Sequence, residues 1–426
     1  MRDPLAVWTA LIVMALVCSC SYSQTSLPAD SAGGPSGEPA PMTQSAPPSQ
    51  RAPVSQPTPT TQRAPLDDIS LKAIELFDVW EQQTGIEGYS READSSPLAW
   101  GESYMMMGYV AMYEGTRDER YLNTLLGRIE RVLANRGDRI GQADDYRGRI
   151  MPCWINQTNT GEPRIAYAVH NGMIIYPMVR LVVALQQDPA MSLKHADIMA
   201  RILADAEQIV QAYEPEWREG PAPDEGWYYC PDLKADLPFN QQNALGRAML
   251  ALYAATGNTQ YRDRAAKLAK YFKYRLRRIN GQDGRYVWDY WTHRAEFEDV
   301  SHAAQNVDFV YTCYRAGIVF TRPDIKRFIH TFQHVTQTSG FSDHIDGTGK
   351  GKFGIIVGGW THLAHQDASL RRIMVDYLIA HPSESNVLAM QCAGYLVETQ
   401  YDDNPFYDAL SRWSKRDTGT PPPPQR

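Results

Sequence analysis

AWGESYMMMGYVAMYEGT, residues 99–116, runs directly into RDERYLNTLLGRIERVLANR, residues 117–136, and this pair decides the fold. The first segment is apolar on nearly every face, with small residues along one side. The second is amphipathic, with its charge on one face. A helix that is apolar all round must be buried, whereas an amphipathic helix covers a core and faces water. The same alternation recurs along the chain. Apolar helices are predicted to begin near Trp100, Asn171, Asn243, Ala303, Trp360 and Asn386. Amphipathic partners are predicted near 118–136, 192–213, 259–279 and 322–337. The first four starts lie roughly 60–70 residues apart, a period that signals repeated supersecondary units. Strand signals are sparse, so the class is all-α. Two concentric layers of helices make an α/α toroid, an incomplete or complete barrel of about six helical hairpins.

Outside this region the chain changes character. Leu5 to Val17 is almost wholly apolar behind Met1-Arg2, and it is too short to span a membrane comfortably. It ends at Val17-Cys18-Ser19-Cys20, so residues 1–20 read as an export signal of the lipoprotein type with Cys20 as the lipidated residue. Ordinary cleavage after Ser23 is the alternative. Residues 21–66 are rich in Pro, Ser, Thr, Ala and Gln and bury too little to offset their ordering entropy, which predicts a disordered tether. The toroid is expected over 67–415, with a tail over 416–426. This organisation implies a periplasmic or cell-surface location, with membrane attachment only through Cys20.

The formal net charge of −7 offers no basic surface for nucleic acid. Cys153, Cys230, Cys313 and Cys392 show no CxxC and no zinc-like grouping, so buried free thiols are expected. No cofactor motif is present, and a monomer is expected.

In a toroid all inner helices start at one end, and the loops before them converge on one cleft. Several polar and aromatic residues fall at those starts: Glu102, His170, Asn171, Asn240, Gln241, Tyr290, His302 and His362. The densest stretch is GRYVWDYWTHRAEFEDVSHAAQN, residues 284–306, which holds Arg285, Trp288, Tyr290, Arg294 and His302. Trp and Tyr side by side suit the apolar faces of sugar rings. In WYYCPD, Trp227, Tyr228 and Tyr229 are candidates for sugar subsites. Tyr, His and Arg together can move a proton and neutralise a carboxylate.

Two metal readings arise. His362 and His365 have i, i+3 spacing but no third ligand, and Asp343 and Asp346 lack the alternating acids of a calcium loop. No metal is therefore expected. The segment GFSDHIDGTGKGKFG, residues 340–354, reads as a mobile flap whose Lys350 and Lys352 could touch an anionic chain.

Across HNGMIIYP, LPFNQQNALGR, YVWDYW and EDVSH, the chain resembles the toroidal polysaccharide lyases of the alginate and glucuronan lyase type. That resemblance implies metal-independent β-elimination on an anionic, uronate-containing polysaccharide. It implies Tyr290 as proton donor to the leaving oxygen and His302 at the C5 proton or the carboxylate, with His170 and Tyr229 as rivals. Asn171, Asn240, Gln241, Tyr229, Arg285, Trp288, Arg294 and Glu102 would then contact substrate. Two alternatives remain. One is a glycoside hydrolase on the same toroid, using paired carboxylates drawn from Glu102, Asp224, Glu225, Glu298 and Asp299. The other is a non-catalytic surface glycan-binding lipoprotein.

Overall fold

A helix buried on all sides needs helical neighbours on all sides, and the chain supplies them by closing a ring. The computed structural model describes residues 64–85, 87–157, 163–279, 284–337, 340–349, 358–382 and 386–417. The segment expected to be an export signal, with Cys20, nearly all of the expected tether, the residues beyond 417, and Lys350 and Lys352 lie outside the described residues. The compact helical unit begins at Leu66.

Five inner helices are α2 (Ser103–Thr116), α4 (Ala168–Gln186), α6 (Phe239–Thr256), α8 (Val300–Arg315) and α11 (Asn386–Glu398). A 3₁₀ segment, Gly358–His365, takes the remaining inner place. The outer helices are α1 (Asp68–Thr84), α3 (Glu119–Ala134), α5 (Ala196–Ala212), α7 (Thr259–Lys273), α9 (Arg322–Val335) and α10 (Ser369–Ala380). Around the ring α2 packs on α4, α4 on α6, α6 on α8, α8 on the 3₁₀ segment, that segment on α11, and α11 back on α2. The protein is an all-α, α/α toroid. Its six hairpins close because α1, the first outer helix, lies against α11, the last inner one.

Burial follows the sequence pattern. Every residue from Ser103 to Gly115 of α2 and from Ala168 to Leu185 of α4 is buried. In α3 only one stripe is buried, including Leu122, Leu125, Ile129 and Val132. Outer helices carry ordinary side-chain caps: Asp67 on α1, Asp118 on α3 and Asn258 on α7. Inner helices α4 and α6 start with no side-chain cap, so their free N–H groups give the cleft end a partial positive potential.

Three elements differ from the sequence expectation. Helices α4, α6 and α8 begin three or four residues earlier than expected, because a first turn that mixes apolar and polar residues (168–170, 239–242 and 300–302) is already helical and mostly buried. The stretch at Trp360 is a 3₁₀ segment, not an α-helix. There Gly359 sits so near α8 that a Cβ would lie 2.1 Å from the Ala304 carbonyl oxygen, and the narrower 3₁₀ turn fits that space. Short antiparallel hairpins fill the loops before the inner helices: β1–β2 (Ala143–Asp144, Arg149–Ile150), β3–β4–β5 (Trp217–Glu219, Gly226–Cys230, Ala235–Asp236), β6–β7 (Arg277–Ile279, Arg285–Val287) and β8–β9 (Asp289–Trp291, Arg294–Phe297). Strands of two to five residues carry too little alternation to register in sequence.

The ring closes tightly at glycines. A Cβ at Gly394 of α11 would stand 2.6 Å from the Gly108 oxygen and 2.9 Å from the Gly108 Cα on α2. Those contacts are backbone and cannot swing away. Gly394→Ala is therefore expected to destabilise the fold by about 1–3 kcal/mol through overpacking, partly offset by the roughly 0.5–1 kcal/mol that Ala gains over Gly in a helix. A lowered urea midpoint with unchanged slope would show it; an unchanged midpoint would mean that the two helices part freely.

At the opposite end from the cleft, helix α12 (Pro405–Asp417) plugs the ring. Phe406 meets Tyr176 of α4 edge-on at 6.1 Å, and Tyr407 meets Tyr311 of α8 at 5.4 Å. Just inside this plug, each inner element donates one ionisable side chain to a buried loop of charge. Arg180 pairs with Glu114 and, at 3.1 Å, with Glu398. His362 stands 3.6 Å from Glu398 and 2.9 Å from Asp308, and Asp308 pairs with Arg247. Burial alone would raise the Asp308 carboxyl, but Arg247 and His362 outweigh it and hold it down at about 2. Burial alone would lower the His362 imidazole, but Asp308 and Glu398 raise it. His362 thus belongs to this loop, and His365 stacks on Tyr311 at 5.6 Å. Cys153, Cys230, Cys313 and Cys392 are buried and free, as the sequence predicts.

Candidate active site

The cleft end is built by the segment that feeds α8. Hairpin β8–β9 is anchored by Trp291, whose Nε1 donates to the Asp236 carbonyl at 2.8 Å. The chain then turns at Glu298 and Asp299, and residues 343–345 fix that turn from the other side. The Val300 N–H donates to the Asp343 carbonyl at 2.9 Å, and the Ile345 N–H to the Glu298 carbonyl at 3.0 Å. The first half of the Gly-rich segment is therefore stitched to the floor of the site. Asp346 is spent on a local turn, accepting from the Thr348 N–H at 3.0 Å.

Asp299 caps α8 by accepting from the Ser301 and His302 N–H groups, both at 2.9 Å. Its other oxygen meets His302 Nδ1 at 2.5 Å. The His302 side chain is 16% exposed, and its Nε2 makes no hydrogen bond to a described residue. Burial alone would lower this imidazole, but the Asp299 charge and hydrogen bond outweigh it and raise its pKa. For Asp299 the burial effect is likewise outweighed, and its carboxyl is pushed down. The neighbouring Glu298 is fully buried, and burial together with the Asp299 charge pushes its carboxyl well up. Two adjacent carboxyl groups are thus driven apart, one ionised and one neutral. Glu298 Oε2 accepts from Asn306 Nδ2 at 2.9 Å, and Asn306 Oδ1 accepts from Asn243 Nδ2 at 2.7 Å.

Aromatic rings extend the site around the bore. The Tyr290 ring lies 5.5 Å from His302, and Gln241 Nε2 reaches the Tyr290 hydroxyl at 3.5 Å. Trp100 lies 6.5 Å from His302 and 5.6 Å from His170. Tyr167 lies 5.3 Å from His170, with its hydroxyl 3.5 Å from Asp232. These residues come from the starts of α2, α4, α6 and α8, which confirms that the inner helices run parallel.

Of the residues singled out in sequence, Tyr290, His302, His170 and Gln241 are brought together. His170 has a different part from the one expected. Trp100 Nε1 can only donate, so His170 Nε2 accepts from it at 3.0 Å, and Nδ1 carries the proton toward Ser95 Oγ at 2.8 Å. Burial pushes its pKa down to about 3. This is a neutral histidine with both nitrogens engaged, and it holds Trp100 in place.

The others stand apart from this cluster. Asn171 is buried and bonded to the Trp154 backbone through both side-chain atoms, at 2.9 and 3.1 Å. Asn240 is buried beneath the first turn of α6. Glu102 is buried against Arg128 at 3.0 Å, and Trp288 is core, packed on Phe272 and Phe328. Arg285 reaches the Asp346 carbonyl at 3.5 Å, and Arg294 makes an exposed contact with Glu296 at 3.7 Å. Tyr229 lies on hairpin β4–β5, facing a separate groove. Among the remaining acids, Asp224 pairs with Lys270 at 2.7 Å and Glu225 with Arg275 at 2.9 Å. Sequence reasoning did not select Trp100, Tyr167 or Asp232. Their signal was position, since each falls just before an inner helix.

Among the described residues, Glu298, Asp299 and His302 are the group with metal-ligand spacing, their ligand atoms lying within 4.8 Å of one another. The facing atoms of Asp299 and His302 are already spent on each other, so a metal would have to break that pair.

No family model matches the chain, and no curated protein matches it. Solved structures do align with it. One is an alpha-1,6-mannanase of glycoside hydrolase family 76 from Salegentibacter sp., at 12% identity and TM-score 0.47, covering 78% of this chain and 98% of that one. An inactive variant of the same enzyme, in complex with alpha-1,6-mannotriose, aligns equally well. Another is a family 76 glycoside hydrolase from a bovine Bacteroides thetaiotaomicron strain, at 13% identity and TM-score 0.48, covering 82% of this chain and 78% of that one. This finding corrects the expectation of an alginate or glucuronan lyase, because the solved chains that align are hydrolases. The site's own geometry agrees with the correction. Arg285 and Arg294, which flank Tyr290 in sequence, reach the Asp346 carbonyl and Glu296, and His170 has no free lone pair to serve as base.

Proposed function

We propose that the chain is a glycoside hydrolase that cleaves a carbohydrate chain lying across the cleft. The observation that carries this reading is the His302–Asp299 pair, open at Nε2 on an aromatic-walled floor. Asp299 raises the His302 pKa and fixes the orientation of its ring, which suits a general acid. His302 Nε2–H gives its proton to the glycosidic oxygen as the bond to the anomeric carbon breaks. Water adds to that carbon and loses its proton to Asp232, the carboxylate beside Tyr167. Trp100 and Tyr290 stack on sugar faces. Glu298 stays neutral behind Asp299 and takes no proton from substrate. Export through the leader at residues 1–20 would place this activity outside the cytoplasm.

The test is release of reducing ends from an α-1,6-mannan, a β-glucan, a xylan and a polygalacturonate. The reading predicts new reducing ends on at least one of them; none on any would overturn it. Because the acid is a cationic histidine with a raised pKa, kcat/KM should fall as pH rises, with a midpoint above the ordinary value of about 6.5. His302→Gln should abolish that limb. A basic limb that persists in His302→Gln would assign the proton to another group.

A further inference from the structure

Hairpins β4–β5 and β8–β9 each have a second side, and between those sides lies a groove of about 600 Å³. This volume falls within the range of small-ligand sites. In β4 the residues alternate, with Tyr228 and Cys230 buried and Trp227 and Tyr229 on the opposite face. Trp227 and Tyr229 therefore stand side by side on the groove wall, roughly 7 Å apart by the rise of a strand. At the base is Asp236, a buried carboxylate held by Tyr271 at 2.7 Å, Thr292 at 2.8 Å and His293 at 2.7 Å. Lys234 sits at the hairpin turn with φ of 52°, a backbone state that a lysine adopts at a cost. It lines the groove and has no ion-pair partner among the described residues.

We infer that this groove is a second carbohydrate-binding site, which holds pyranose units of the same polymer outside the catalytic cleft. The Trp227 ring, beside a Tyr229 ring that has the Arg218 guanidinium 5.4 Å over it, matches sugar rings, which are apolar on their faces and hydroxylated at their rims. The occupant follows from continuity. Hairpin β4–β5 carries Asp232 to the cleft and Trp227 and Tyr229 to the groove; hairpin β8–β9 carries Tyr290 to the cleft and His293 to the groove. A chain leaving the cleft over either hairpin passes into this groove. Held there, the polymer presents its next bond at a raised local concentration. The inference rests on the hydrolase reading for its ligand class.

The experiment compares wild type, Trp227→Ala, Trp227→Phe and Tyr229→Ala. Affinity electrophoresis uses gels containing the four polysaccharides named above, and kcat/KM is measured on the cleaved polymer and on its trisaccharide. On at least one polysaccharide, Trp227→Ala should weaken retardation about tenfold, and it should lower kcat/KM on polymer about tenfold more than on trisaccharide. Trp227→Phe should keep most of both. Equal retardation and an equal kcat/KM ratio in wild type and Trp227→Ala would overturn the inference while leaving the hydrolase intact. Retardation lost in Trp227→Ala with no hydrolysis by any form would overturn the hydrolase and keep the groove. If Trp227→Ala fails to fold, Tyr229→Ala is read by the same two criteria. Retardation lost for all four polymers alike, with the trisaccharide rate lost as well, would mark a folding defect and count against the groove.

Discussion

His302→Gln is expected to lower turnover by about 10²–10⁴-fold, the usual cost of removing a positioned proton-transfer group, while the protein melts near wild type. Fold and chemistry separate here because Asp299 caps α8 through backbone N–H groups that do not depend on the imidazole. Asp299→Asn isolates the electrostatic part. Asparagine caps about as well as aspartate, so the helix start survives, but the charge that raises His302 is gone. The sign is fixed by the direction of the shift. Asp299 raises the folded pKa of His302, so its removal should move the basic limb of kcat/KM to lower pH and depress the rate at neutrality. For stability, a raised histidine contributes fully below its unfolded pKa of about 6.5 and loses that contribution as pH rises through the folded value. If His302→Gln keeps near-full turnover, the histidine acid is wrong. Glu298→Gln would then be the next variant to measure.

The sequence announced the architecture because an inner helix and an outer helix have different hydrophobic patterns, as residues 168–185 and 119–134 show. It also placed His170, Gln241, Tyr290 and His302 at one end of the ring, where the structure brings them together. What it could not announce was the direction of each polar side chain. Asn171, Glu102 and Trp288 occupy the expected positions near inner-helix starts, yet their partners are Trp154, Arg128 and Glu298 inside the fold. The Trp100–His170 bond joins residues 70 positions apart, and no periodicity reveals such a contact. Residue types alone do not separate elimination from hydrolysis, for a chemical reason. Elimination and hydrolysis on a sugar polymer both need aromatic platforms, a proton donor and a proton acceptor, so the same residue types fit either. Only the protonation states separate them. The neutral His170 follows from Trp100, 70 positions away in sequence, whereas the raised pKa of His302 follows from Asp299, three residues before it in EDVSH.

Arg247→Met is expected to cost about 3–5 kcal/mol of stability, the penalty for leaving one member of a buried ion pair without its partner. Arg247 and Asp308 are both fully buried, and the guanidinium also lies 4.1 Å over the Tyr176 ring. Methionine fills much of the same volume, so a cavity contributes little and the loss reports the charge. Without Arg247 the Asp308 carboxylate keeps only His362 and the more distant Arg180, so its pKa should rise from about 2. The effect should spread around the loop, because His362 also holds Glu398, and Glu398 shares Arg180 with Glu114. Such a connected set is non-additive. Arg247→Met with Asp308→Leu removes both charges of one pair and should recover part of the loss, since replacing a buried pair with apolar groups is often neutral. Urea unfolding of the single and double variants measures both quantities. A single variant within about 0.5 kcal/mol of wild type, the range of ordinary surface changes, would mean that the loop contributes nothing to holding the six inner elements together.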